Sequence, residues 1–168
     1  MSVQKLDSKV NANGLRVGIV AARFNEIVVK SLTEGALETL LRLGCSDSDI
    51  TLVHVPGCFE VPLACRKMAE SGQYDAVIAL GAVIRGDTSH YDHVCSRVTD
   101  GVGRVSDETG VPVALGVITT ENLEQALDRS GGKAGNKGSD AAMVAVEMAC
   151  LVTAISRRGK NLKVSVNS

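Results

Sequence analysis

The chain has no tryptophan and only two phenylalanines and two tyrosines in 168 residues. A core without large rings must be filled by Val, Ile, Leu and Ala, so the positions of Phe24, Phe59, Tyr74 and Tyr91 carry information. An excess of one charge sign is missing too. The formal net charge is −1, which gives no electrostatic basis for binding nucleic acid or an anionic membrane surface. No uninterrupted apolar run reaches the length of a membrane span, and the opening "MSVQKLDSKVNANG" has no signal-peptide core, so a cytoplasmic protein without a membrane partner is expected. The five cysteines (Cys45, Cys58, Cys65, Cys95 and Cys150) are odd in number and scattered, with no C-x-x-C. That spacing argues against a disulfide framework or a zinc site and fits thiols in a reducing compartment.

What is present is a strict alternation of two patterns. Runs rich in aliphatic and β-branched residues predict strands over Leu15–Ala22, Ile50–Val55, Ala76–Val83 and Pro112–Ile118. The first, third and fourth show little alternation, as strands covered on both faces do. Helical patterns separate them. Asn25 is placed to cap one that runs to Leu43 and stops at Gly44, and Pro62 suits the first turn of another ending at Gly72. A third covers Tyr91 to about Thr109, and a short fourth, introduced by Thr120-Glu121-Asn122, covers Leu123–Arg129. Ser139-Asp140 would cap a last helix from Ala141 to about Arg157. Strand–helix alternation predicts an α/β fold: a single-domain, flavodoxin-like three-layer sandwich around a four-stranded parallel sheet. That domain is assigned residues 15–158. Residues 1–14 form an N-terminal segment whose "SVQKLD" would add an edge strand on a neighbouring subunit, and 159–168 form a tail.

The last helix, "AAMVAVEMACLVTAISRR", is apolar nearly all round. It is either unusually buried within one domain or covered by another copy, and a chain this short favours the homo-oligomer.

Open parallel sheets bind ligands at the carboxyl ends of their strands. Three of the four rings fall there: Phe24 after the first strand, Phe59 after the second and Tyr91 after the third. They either close the rim of the core or offer a stacking surface to a planar ligand, the second being favoured in so ring-poor a chain. After the third strand comes "RGDTSHYDH". One of Asp87, Thr88 or Ser89 would suffice as a helix cap. The whole run, with Gly86 and the amides of a helix N-terminus, suits a phosphate. His90 stands at that junction, where an imidazole can exchange protons with a ligand; His54 reads as a satisfied sheet residue, and His93 as a surface or capping residue. A metal site from His90, Asp92 and His93 lacks a completing ligand. The glycine-rich "DRSGGKAGNKGSD" brings Arg129, Lys133 and Lys137, either as a solvated loop or as backbone wrapped around an anion. Cys58, with no base nearby in sequence, reads as a small buried residue.

Together "ARFN", "PGCFEVP", "GAVIRGDTSHYDHV", "GVITTEN" and "AGNKG", in this order from about Leu15 to Arg157, resemble the lumazine synthase family of riboflavin synthesis. The resemblance implies condensation of 5-amino-6-(D-ribitylamino)uracil with 3,4-dihydroxy-2-butanone 4-phosphate to 6,7-dimethyl-8-ribityllumazine, phosphate and water. It implies no metal and no organic cofactor. It assigns Phe24 to stacking on the pyrimidine with Asn25 beside it, and Gly57, Cys58, Phe59 and Glu60 to a ribityl-binding turn. Ala82, Val83 and Ile84 would present backbone to the pyrimidine edge. Gly86, Asp87, Thr88 and Arg129 would hold phosphate, and His90 would transfer protons. Arg129 and Lys137 would reach the site from an adjacent subunit. Leu115 stands where many members carry a Phe over the bound ring, Ser89 where Pro is frequent and Tyr91 where Phe is common. The family forms pentamers, some packed as twelve pentamers in a sixty-subunit shell. The short segment between the last two helices points to the shell, with riboflavin synthase as a partner. The rival readings are a non-catalytic flavin-binding or shell-forming protein of the same fold, which should show damage at His90 or Arg129, and a flavodoxin-type electron carrier. The carrier should show a hydroxyl-rich loop where this chain has "AARFNE".

Overall fold

The computed structural model describes residues 3, 5–6 and 10–166 of the chain, with side chains up to residue 158. The element order is β1 (Val17–Ala22), α1 (Glu26–Arg42), a single 3-10 turn (Asp47–Asp49), β2 (Ile50–Val55), α2 (Val61–Glu70), β3 (Ala76–Ile84), α3 (His90–Thr109), β4 (Val113–Thr120), α4 (Leu123–Arg129), β5 (Ser130–Gly132), β6 (Gly135–Asn136) and α5 (Lys137–Val166). β1 to β4 form one parallel sheet in the order β2-β1-β3-β4. The fold is therefore the α/β sandwich that strand–helix alternation predicted. The small antiparallel pair β5–β6 lies inside the glycine-rich segment, where the sequence pattern predicted no strand. The expected N-terminal edge strand falls mostly outside the described residues.

Side-chain alternation along the inner strands divides the interior in two. Ile19 and Ala21 of β1 with Ile78 and Leu80 of β3 face α1 and α5. Val20 and Ala22 with Val77 and Ala79 face α2 and α3. Every residue of β1 is buried, and all of β3 except Ile84, which explains their unbroken apolar runs. β2 is an edge strand with exposed positions, and His54 on it is exposed rather than enclosed in the sheet. β4, the other edge, exposes Leu115 and Thr119; its expected burial on both faces holds at Val117 but fails at these two positions, on an edge with no further strand beyond it among the described residues.

Two helix starts differ from expectation. Asn25 occupies the N-cap position of α1 but has φ 60°, and its side chain makes no capping bond. α5 begins at Lys137, ahead of Ser139-Asp140, because Asn136 Oδ1 accepts the amides of Gly138 and Ser139 at 2.8 and 3.2 Å. α5 also runs on to Val166. Its stretch Lys137–Arg158, 22 residues containing an 18-residue window with a mean hydropathy of 1.5, is long and apolar enough to cross a membrane by length and composition alone. Counting only uninterrupted apolar residues missed this, because Glu147 and Thr153 break the run. Part of that apolarity has an internal explanation: Ala141, Ala142, Ala145, Val146 and Ala149 form a buried stripe, while Met143, Val144, Met148 and Ile155 face outward.

The stripe is mostly alanine because α5 lies very close to α1. A Cβ at Gly138 would stand 1.9 Å from the carbonyl oxygen of Leu32. Backbone cannot yield as a flexible side chain does, so Gly138→Ala should destabilise the fold by about 2 kcal/mol or more, read as a lowered midpoint in urea unfolding. A wild-type midpoint in that variant would refute the close packing of α5 on α1.

Candidate active site

The strand order reverses between β1 and β3, and this is where a parallel sheet opens a crevice at its carboxyl end. Pairing of β1 with β3 ends at Ala21–Leu80, whereas pairing of β3 with β4 continues to Ile84–Thr120. β3 therefore overshoots β1, and the backbone of Ala82, Val83 and Ile84 borders a cleft of about 690 Å³ on that side. Asn25 meets the overhang: its Nδ2 donates to the Ala82 carbonyl at 2.8 Å. Left-handed backbone is costly for most side chains and less so for Asn, which accounts for the residue type at this bend.

Phe24 and Phe59 both line the cleft and are 71% and 50% exposed, so each offers a ring face that this chain does not cover. The Arg97 guanidinium lies 5.5 Å from the centre of the Phe59 ring. The turn after β2 is closed by Glu60, whose Oε2 accepts the Gly57 amide at 3.1 Å. Cys58 sits in the same wall, buried beside Ala82; burial pushes its thiol up to about 12.

The end of β3 and the start of α3 form the other wall, with Gly86, Thr88, His90 and Tyr91 lining it. Thr88 Oγ1 accepts the His90 amide at 3.3 Å, whereas Ser89, the N-cap residue of α3, makes no side-chain capping bond. Gly86 has no positive φ. It leaves open space, with no atom within 4 Å of where a Cβ would be.

Of the residues singled out in the sequence, Phe24, Asn25, Gly57, Cys58, Phe59 and Glu60 line this one cleft, as do Ala82, Val83, Ile84, Gly86, Thr88 and His90. Four do not. Asp87 belongs to the loop but not to the lining. Leu115 lies mid-strand on β4, opposite Ala79 and 45% exposed. Arg129 ends α4 with its Nη1 on the Gln125 carbonyl, and Lys137 starts α5 paired with Asp140 at 2.7 Å. Pattern reading missed Pro56 and Val94 in the lining, where only their nearness to the strand ends could have signalled them. Arg85, which the sequence put next to the phosphate loop, is engaged with Asp92 and Glu121. Among the described residues, no three of the His, Cys, Asp and Glu side chains come together as a metal site.

Two outcomes test this geometry. Asn25→Ala should destabilise the protein by about 1–3 kcal/mol in urea unfolding, and Asn25→Gly should recover about 1 kcal/mol because it tolerates the left-handed bend. Since the Cys58 thiol is protonated far below 12, iodoacetamide at pH 8 should leave Cys58 unmodified in peptide maps; rapid alkylation there would contradict its burial.

A family model described as 6,7-dimethyl-8-ribityllumazine synthase matches residues 14–153. That span runs from before β1 into α5 and includes every wall of the cleft. The chain belongs to the 6,7-dimethyl-8-ribityllumazine synthase family, transferases of riboflavin biosynthesis.

Proposed function

We propose that this protein condenses 5-amino-6-(D-ribitylamino)uracil with 3,4-dihydroxy-2-butanone 4-phosphate, giving 6,7-dimethyl-8-ribityllumazine, phosphate and water. The observation that supports this reading most is the single cleft that gathers exposed rings, the overhanging backbone of β3, a carboxylate turn, the Gly86–Thr88 loop and an imidazole. Phe24 stacks on the pyrimidine beside Asn25, and the backbone of Ala82, Val83 and Ile84 meets its polar edge. The Glu60 carboxylate accepts hydroxyls of the ribityl chain, whose turn is formed by Gly57, Cys58 and Phe59. Gly86, Asp87 and Thr88 hold the phosphate at the N-terminus of α3.

The 5-amino group attacks the ketone carbon, and loss of water leaves an imine. Phosphate departs with its bonding electrons after a proton leaves the adjacent carbon. The enol that this elimination leaves takes a proton at its terminal carbon and becomes a ketone, and the ribitylamino nitrogen closes the ring on that new carbonyl, with a second loss of water. His90 carries protons between these steps. Most of the acceleration comes from holding both reactants together, and His90 adds a smaller factor.

A phosphate needs cations that this cleft does not hold within one chain. Arg129 of an adjacent copy supplies one to the phosphate, Lys137 of that copy reaches the pyrimidine and ribityl side, and Leu115 stands over the bound ring. The outward apolar face of α5, with Met143, Val144 and Met148, supports association into a homo-oligomer. The assembly is a pentamer, with the N-terminal segment adding a strand to a neighbour. Twelve pentamers form a shell, and riboflavin synthase is the partner that consumes the product. All five cysteines are free, which supports a cytoplasmic location. His90 and Arg129 are both present, so nothing favours a non-catalytic relative.

Mixing both substrates with purified protein should raise the lumazine absorbance well above an enzyme-free control. His90→Ala should lower kcat by up to roughly 100-fold without abolishing turnover, and Arg129→Ala should act mainly on the KM of the butanone phosphate. Unchanged kinetics in His90→Ala would remove its assigned role. Electron microscopy should show hollow shells, and isolated pentamers in phosphate buffer would count against the sixty-subunit assembly.

A further inference from the structure

Arg85 sits at the junction of three segments. Its amide donates to the Thr120 carbonyl at 2.9 Å, which continues the β3–β4 ladder one residue past the strand. Its Nε donates to Glu121 Oε2 at 2.8 Å, in the loop that leaves β4, and its Nη2 to Asp92 Oδ1 at 3.2 Å, in the first turn of α3. The guanidinium also lies 4.1 Å from the centre of the Tyr91 ring, which lines the cleft next to His90. The two carboxylates, Asp92 first, hold the guanidinium pKa above its ordinary value.

The loop it brackets, residues 86–89, has modest holds of its own. Thr88 Oγ1 accepts the His90 amide at 3.3 Å, and the Asp92 and His93 amides reach the Ser89 carbonyl at 3.0 and 3.4 Å. Exposed ion pairs contribute little to global stability. A planar fork that grips two segments at once does something different: it fixes their relative position. With both arms engaged, Arg85 is not free to ligate an anion. Without it, Asp92 and Glu121 would be left unneutralised beside the loop that meets the phosphate.

We infer that Arg85 is a positioning residue: it clamps the first turn of α3 to the β4–α4 loop and so sets His90 and the Gly86–Ser89 backbone in place for reaction. This rests on the function proposed above, and its test separates the two. Arg85→Met should lower kcat by roughly 10- to 100-fold through misplacement of the imidazole, with the KM for the uracil substrate changed less than about twofold. Arg85→Lys should restore little of it, because an ammonium cannot hold both carboxylates in that geometry. Arg16→Met, which breaks a comparably exposed pair with Asp75 at the far end of β3, should leave kcat alone. Hydrogen exchange should rise across residues 86–91 in Arg85→Met and stay constant in β1 and β3. Should Arg85→Met not fold, Glu121→Gln releases one arm and carries the same two readouts. Wild-type kcat in Arg85→Met, an equal loss in Arg16→Met, full rescue by Arg85→Lys, or unchanged exchange in the loop would each overturn the clamp. If the wild-type protein made no lumazine, the proposed function would fall, while the exchange measurement would still decide the role of Arg85.

Discussion

The mismatch in length between two neighbouring strands is the constraint on which this site depends. β1 turns away at Ala22, while β3 stays bonded to β4 as far as Ile84. Four residues of β3, Gly81, Ala82, Val83 and Ile84, thus have a strand partner on one side only. Backbone groups left unpaired in a protein interior are costly. Here the Asn25 amide satisfies one carbonyl, and the open edge becomes cleft wall. The left-handed bend at Asn25 does two jobs: it starts α1 abruptly, and it brings an amide donor back to the strand just left behind.

A second constraint follows from the interior being aliphatic. The two halves of the core are closed by Val, Ile, Leu, Ala, Cys and Met packed on the two faces of the sheet, with both tyrosines at the margin of the α2–α3 half. Neither phenylalanine is needed to fill space, so both stand at the rim with faces exposed. Burying one ring face of a ligand on each recovers apolar area that folding did not use. Arg129 and Lys137 sit on α4 and α5, held by local partners, and neither lines the cleft. Under the function proposed above, an adjacent copy would bring these two side chains to the cleft.

Strand positions were legible because burial on both faces leaves an unbroken aliphatic signature in β1 and β3, and because glycine at 44 and 72 marks where helices stop. The rings and hydroxyls at strand ends were legible for the same reason, since topology places every carboxyl end on one side. Caps were harder. Asn136, Ser139 and Asp140 are all competent, and only the approach of α5 to the Leu32 backbone selects Asn136. Arg85 was ambiguous in sequence because its partner Glu121 lies 36 residues away. The β5–β6 pair was hidden by glycines that carry no strand preference. The resemblance to a family assigned Leu115, Arg129 and Lys137 to a site that no local pattern in the chain connects with them.

The lack of tryptophan has an optical consequence. Tyr74 lies just before β3 and Tyr91 just beyond its far end, in the cleft wall. Ultraviolet emission from this polypeptide therefore comes from two phenols at opposite ends of one strand, and only one of them faces the cleft. A conjugated heterocycle bound there would quench that phenol first, so the unlabelled protein carries its own occupancy gauge, with the distant phenol as internal standard.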